Sequence, residues 1–191
     1  CILDEADEML NMGFYEDIVN ILSTTPDTKS TWLFSATMPA EVSRIAKQFM
    51  NEPTEITVGT KNSGSATVSH EFYLVNARDR YEALKRLADA NPDIFSVVFC
   101  RTKRDTQQVA ERLIEDGYSA AALHGDLSQA QRDSVMKSFR GHQIQMLVAT
   151  DVAARGIDVD SITHVVNYQL PDEIETYTHR SGRTGRAGKL G

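Results

Sequence analysis

Two short charged clusters, near opposite ends of this 191-residue chain, hold the residue types that could do chemistry. In the first, Asp4 and Glu5 are adjacent carboxylates just after the apolar pair Ile2-Leu3. A hard cation such as Mg²⁺ takes one or two protein oxygens beside phosphate oxygens and water. A neighbouring carboxylate can then orient or deprotonate an attacking water. In the second, His179-Arg180-Ser181-Gly182-Arg183-Thr184-Gly185-Arg186 sets Arg183 and Arg186 three residues apart. If that segment continues a helix end or a tight turn, both guanidiniums project to one side. Planar, permanently charged forks suit phosphate oxygens, and glycines allow close backbone approach. Alone, neither cluster is specific: an isolated D-E pair is more often the acidic first turn of a helix, and an isolated R-x-x-R a solvated loop.

Other polar groups also follow apolar runs. Ser35-Ala36-Thr37 comes after residues 31–34, Thr102 after 95–100, His124-Gly125-Asp126 after 119–123 and Thr150-Asp151 after 144–149. Hydroxyls in such places usually cap the next helix. Thr150 and the backbone N–H groups that follow it also suit a phosphate, with Gly156 close by and Arg155 and Asp158 available as a charged pair. Gln129 and Arg132 share one face near a helix start, where N–H dipoles favour anions.

The elements that must position these groups follow from periodicity and punctuation. Short apolar runs at 2–3, 31–34, 55–58, 71–75, 95–100, 119–123, 144–149 and 162–168 read as strands. Between them stand amphipathic stretches with start and stop signals. Pro39 opens one; Thr102 with Asp105, and Ser128 with Gln131, form cap patterns; Gly117 and Gly141 close helices. Strands alternating with helices mean parallel β-α units with helices on both sheet faces. Ligands of such sheets gather beyond the carboxyl ends of the strands, which is where the polar groups fall. The polar run at 60–68 predicts a linker between a first part at 1–59 and a second at 69–191.

Composition bounds the rest. A 41% hydrophobic and 25% charged chain is enough for a buried core. No apolar run is long enough for a transmembrane helix, so no membrane partner is expected. The net charge of −7 argues against a broad basic nucleic-acid surface but not against a few clustered contacts. Cys1 and Cys100 lack metal-ligand spacing and read as small core residues in a reducing compartment.

Taken in order, Asp4-Glu5-Ala6-Asp7, Ser35-Ala36-Thr37, Gln129-x-x-Arg132, the run from Thr150 to Asp158 and the run from His179 to Arg186 resemble the DEAD-box RNA helicases over essentially the whole chain, bacterial members in particular. The resemblance implies an α/β fold with RecA-like parallel sheets flanked by helices: the C-terminal part of a first RecA-like domain and most of a second. It implies ATP in the cleft between two such domains, with RNA bound across both. Asp4 would hold Mg²⁺ through water and Glu5 would position or activate the hydrolytic water. Arg183 and Arg186 would reach the γ-phosphate, and Asp158, with Gly156 beside it, would meet the nucleotide. Thr102, Gly125, Gln129, Arg132 and Thr150 would lie at the RNA backbone, while Asp7, Ser35, Thr37 and His179 would couple the two domains.

The chain departs from the family pattern at Ser181 and Gln169. It contains no G-x-x-x-x-G-K-[ST] loop, since Gly188-Lys189 is followed by Leu190. The expectation is a fragment, inactive by itself as an ATPase, of a cytoplasmic ATP-dependent RNA helicase that unwinds short duplexes or remodels RNA–protein complexes. Ribosome-assembly and RNA-decay proteins are the partner classes considered, and the sequence does not choose between them. Three rivals stand beside this reading: a non-catalytic RNA-binding module, a DNA helicase of the same superfamily, and an unrelated Mg²⁺ phosphohydrolase built on Asp4-Glu5, which leaves the motifs of the second part unexplained.

Overall fold

The computed structural model describes residues 1–58, 67–186 and 189–191, and the chain divides into two compact units, Cys1–Ser63 and Gly64–Gly191. Of the expected linker, residues 60–66 lie outside the described residues.

In the first unit, β1 (Ile2–Leu3) pairs in parallel with β2 (Trp32–Leu33). Among the described residues, α1 (Ala6–Asn11), α2 (Tyr15–Thr24) and α3 (Ala40–Phe49) accompany them. Ala6, Leu10, Ile18, Leu22, Val42 and Ile45 form their core, with Phe49 packed against it. Pro39, extended at φ −66° and ψ 165°, is the N-cap of α3, where its missing N–H costs nothing. Trp32 and Phe34 stay exposed and stack on each other with centroids 6.4 Å apart.

The second unit is a three-layer α/β sandwich. Its helices are α4 (Arg80–Ala90), α5 (Lys103–Glu115), α6 (Gln129–Arg140) and α7 (Ile174–Ser181). Its strands β3 (Ser96–Phe99), β4 (Ala120–Leu123), β5 (Met146–Ala149) and β6 (His164–Asn167) form one parallel sheet in the order β4-β5-β3-β6. β3 and β5 are buried along their whole length, as central strands covered on both faces must be. Alternation sends Val97, Phe99 and Leu147 to the side of Phe139 on α6. It sends Val98, Cys100 and Val148 to the opposite side, against Leu84 of α4 and Leu113 of α5.

The cap signals are met in atomic detail. Thr102 Oγ1 accepts the Asp105 N–H at 3.0 Å, and Ser128 and Gln131 form a reciprocal capping box. Two expected strands do not form. Residues 55–58 and 71–75 take no regular structure, and Ile56, Val58, Phe72 and Leu74 are among the most exposed apolar side chains. Their composition favoured a strand, but a strand exists only where a neighbour supplies N–H and C=O partners. Among the described residues, β6 carries β3 on one side and no strand on the other.

Candidate functional site

In the first unit the chain leaves β1 through a tight corner. Asp4 is exposed and its Oδ1 accepts the Glu5 N–H at 2.9 Å, while Glu5 takes a left-handed conformation at φ 50°. A non-glycine residue in that region is uncommon and is held only where its surroundings enforce it. Here the enforcement comes from the next residue: the Ala6 N–H is fixed to the Phe34 carbonyl of the neighbouring strand at 3.1 Å. Both carboxylates are thereby held out in solvent at the strand end. Asp7, by contrast, is 1% exposed. Its Oδ2 accepts the Thr37 N–H at 2.7 Å and the Thr37 hydroxyl at 2.6 Å, and its N–H donates to Ser35 Oγ at 3.3 Å. Ser35 Oγ donates in turn to the Thr37 carbonyl at 2.6 Å. Asp7, Ser35 and Thr37 thus form one knot joining the ends of β1 and β2.

In the second unit, adjacent strands bring Thr102, Gly125 and Thr150 to one end of the sheet. Thr102 and Gly125 are exposed there; Thr150 is buried, its Oγ1 accepting the Ala153 N–H at 3.4 Å. Gln129 and Arg132 stand in the first turn of α6, with Gln129 donating to Asp133 at 2.8 Å. Lys103 bridges to Asp126 at 2.6 Å and holds that exposed carboxyl below its usual range.

α7 ends at Ser181, and the turn beyond it presents both arginines to one stretch of chain. Arg183 Nη1 donates to the Ile157 carbonyl at 3.2 Å; Arg186 Nη1 meets Asp158 Oδ1 at 2.8 Å and its Nε donates to the Gly182 carbonyl at 2.8 Å. Asp158 is therefore held by Arg186, a partner that local spacing did not offer. Gly185, between the two arginines, has φ +66°, and a Cβ there would stand 2.6 Å from Val68 Cγ2, so only glycine fits. Gly156, also left-handed at φ +67°, turns the chain toward Asp158. His179 is half-buried on α7.

The sequence reading passed over Arg180. This residue is 2% exposed, and its guanidinium grips both carboxylate oxygens of Asp151 at 2.6 and 2.8 Å. Its Nη1 donates to Asn167 Oδ1 at 2.9 Å and to the Gln169 carbonyl at 2.7 Å. Gln169, noted above as a departure, also accepts the Arg101 N–H at 2.6 Å and donates to Asp105 at 3.0 Å. An arginine inside a basic run carries no sequence mark of burial.

Comparison with known proteins bears on the family and the fold. The family model described as helicase conserved C-terminal domain matches residues 79–188, and that described as DEAD/DEAH box helicase matches residues 1–45. The chain belongs to the DEAD-box helicase family. Over 190 residues this DEAD-box chain is 50% identical to the DEAD-box ATP-dependent RNA helicase CshA of Geobacillus kaustophilus and 48% identical to that of Bacillus subtilis, covering all of this chain and 41% and 38% of those proteins. It spans less than half the length of these curated relatives. A DEAD box protein from Methanococcus jannaschii matches the whole of this chain and 51% of its own, with TM-score 0.64 and 48% identity. Saccharomyces cerevisiae Dbp5, solved with RNA and ADP BeF3, covers the same shares with TM-score 0.82 and 31% identity. The two parallel sheets of this DEAD-box chain are RecA-like α/β architecture.

The donor set of the first unit fits a magnesium ion. Asp4 and Glu5, two exposed carboxylates at a strand end, are oxygen donors that would suit a cation that keeps its waters and takes one or two carboxylates.

Proposed function

We propose that this chain is part of an ATP-dependent RNA helicase, in which ATP binding and hydrolysis drive local unwinding of RNA duplexes or remodelling of RNA–protein complexes. The observation that carries the reading is the arginine pair: Arg183 and Arg186 both reach the Ile157–Asp158 segment, beyond the carboxyl end of β5. In this role both guanidiniums stabilise negative charge on the terminal phosphate as it transfers, and Asp158 and Gly156 contact the nucleotide. Glu5 orients the attacking water and accepts its proton, and Asp4 holds the cation through water. The cation, when bound, offsets phosphate charge.

Thr102, Gly125, Gln129, Arg132 and Thr150 contact the RNA backbone, which gives little base preference and a modest salt dependence. The placement of Thr102, Gly125 and Thr150 at one end of adjacent strands, with Gln129 and Arg132 in the first turn of α6, supports this. Asp7, Ser35, Thr37 and His179 couple nucleotide state to RNA binding. Without a G-x-x-x-x-G-K-[ST] loop in its sequence, the 191-residue chain by itself turns over no ATP. In the cell we place the protein in the cytoplasm.

The test is Arg183→Ala and Arg186→Ala, each in the full-length protein. Both are expected to lower kcat for ATP at least about a hundredfold with nucleotide affinity close to wild type, because the lost contact acts in the transition state. Turnover at the wild-type rate in both variants would remove the assignment.

A further inference from the structure

Arg180 has no place in the phosphate chemistry above, yet it is buried in the site's scaffold while Arg183 and Arg186 are only half-buried. Its side chain leaves α7 one turn before Arg183 and enters the ends of three strands. Asp151 follows β5 and is bonded in sequence to Thr150. Asn167 ends β6, Gln169 lies just beyond it, and the ring of Phe99, which ends β3, has its centroid 4.9 Å from the guanidinium carbon. Four hydrogen bonds of 2.6–2.9 Å and one aromatic face leave the guanidinium 2% exposed.

Following the contacts onward gives a closed ring. From Asp151 the chain turns through the Ala154 N–H to Thr150 carbonyl bond at 3.0 Å and the Ile157 N–H to Ala154 carbonyl bond at 3.3 Å. It then offers the Ile157 carbonyl to Arg183 and the Asp158 carboxylate to Arg186. The turn beyond α7 leads back from those arginines to Arg180. A buried ion pair is a poor source of stability, because well-packed apolar residues serve as well or better. What a two-pronged arginine–carboxylate pair supplies is orientation, since both prongs must be met at once.

We propose that Arg180 is a positioning residue: through Asp151 it ties the turn that begins at Thr150 to the loop that carries Arg183 and Arg186, so that nucleic acid bound at the first is felt at the second. The inference rests on the functional reading above and adds the route of coupling. Thr150 is the point where the RNA backbone enters the ring and Arg183 the point where the ring meets phosphate. Moving the first turn without moving the second loop requires breaking the Asp151 fork as well as the Arg183–Ile157 and Arg186–Asp158 bonds.

The experiment uses Asp151→Asn and Arg180→Lys in the full-length protein. Asparagine keeps the shape of aspartate but sets an amide N–H₂ against the guanidinium; lysine keeps the charge but loses the fork. The readouts are ATP turnover with and without saturating RNA, equilibrium binding of RNA and of nucleotide, and thermal melting. The expected result is that the factor by which RNA stimulates turnover falls at least about tenfold in both variants, a size typical of coupling between sites. RNA and nucleotide should each still bind within about threefold of wild type, so that kcat falls and the binding constants do not.

Undiminished stimulation in a folded Asp151→Asn protein would overturn the proposal. So would stimulation lost only in step with RNA affinity, or failure of both variants to fold, which would leave Arg180 a part of the scaffold alone. If the wild-type protein shows no RNA-stimulated turnover, the functional reading fails first and takes this inference with it.

Discussion

Asp7 and Asp4 are the same residue type three positions apart, and the fold gives them opposite environments. Asp4 is exposed, whereas Asp7 is 1% exposed and accepts two hydrogen bonds from Thr37 alone. Burying a carboxylate is tolerable only with such partners, and hydrogen bonds to charged groups contribute more than neutral ones. Thr37 is itself buried, so Asp7→Ala would leave an N–H and a hydroxyl without their acceptor. The variant is expected to lose about 2–3 kcal/mol of stability, and Asp7→Asn, which keeps one acceptor oxygen, about 1 kcal/mol. Urea unfolding followed by the fluorescence of Trp32, the single tryptophan and in the same unit, checks this. Equal stability of wild type and Asp7→Ala would contradict the account.

Among the elements, the contact of α4 with the end of α5 shows how a surface pair gains pH dependence. Tyr81 is 2% exposed, its hydroxyl donates to Asp116 Oδ2 at 2.7 Å, and Arg112 lies 3.6 Å over its ring. Burial, with help from Asp116, raises the Tyr81 hydroxyl well above its ordinary range. The Tyr81 bond first, and Lys85 at 3.0 Å next, hold the Asp116 carboxyl below its own. The signs then differ. The Asp116 contribution is present above the unfolded carboxylate value of about 3.9 and is lost as pH falls through the lower folded value. The Tyr81 contribution is present below about 10 and is lost as pH climbs through the raised folded value. Tyr81→Phe keeps the ring and the arginine over it, so it should cost only about 1 kcal/mol near neutrality. The difference from wild type should shrink below about pH 4 and above about pH 10. Denaturation at acid, neutral and alkaline pH reads this directly, and a difference independent of pH would refute it.

For the molecule as a whole, the functional reading proposed above assigns Asp4 and Glu5 to the first unit and Arg183 and Arg186 to the second. If Arg183 and Arg186 act as proposed, they would supply about a thousand- to a hundred-thousand-fold in rate, but only on a phosphate that something else cradles. The purified 191-residue chain is therefore expected to show no RNA-stimulated ATP hydrolysis above background, measured as phosphate release with RNA and magnesium present. Steady turnover would show that the missing loop is dispensable and would reopen the reading.

The sequence alone determined the local features. Thr102 and Ser128 cap the helices they precede, because a cap needs only a side chain and the N–H groups two or three residues on. Apolar periodicity gave α4, α5 and α6 and the alternation of strand with helix, because burial of one face is written every three or four residues. The polar groups at strand ends were legible for the same reason. Three things waited for the tertiary structure. The order β4-β5-β3-β6 is one, because which strand neighbours which is not encoded in either. The unpaired state of residues 55–58 and 71–75 is another, because a strand needs a partner as well as a propensity. The last is the choice of partner by charged groups far apart in sequence. Asp158 turned to Arg186, and Arg180 went inside to Asp151, 29 residues away, because a guanidinium can be buried only where folding has already assembled its acceptors.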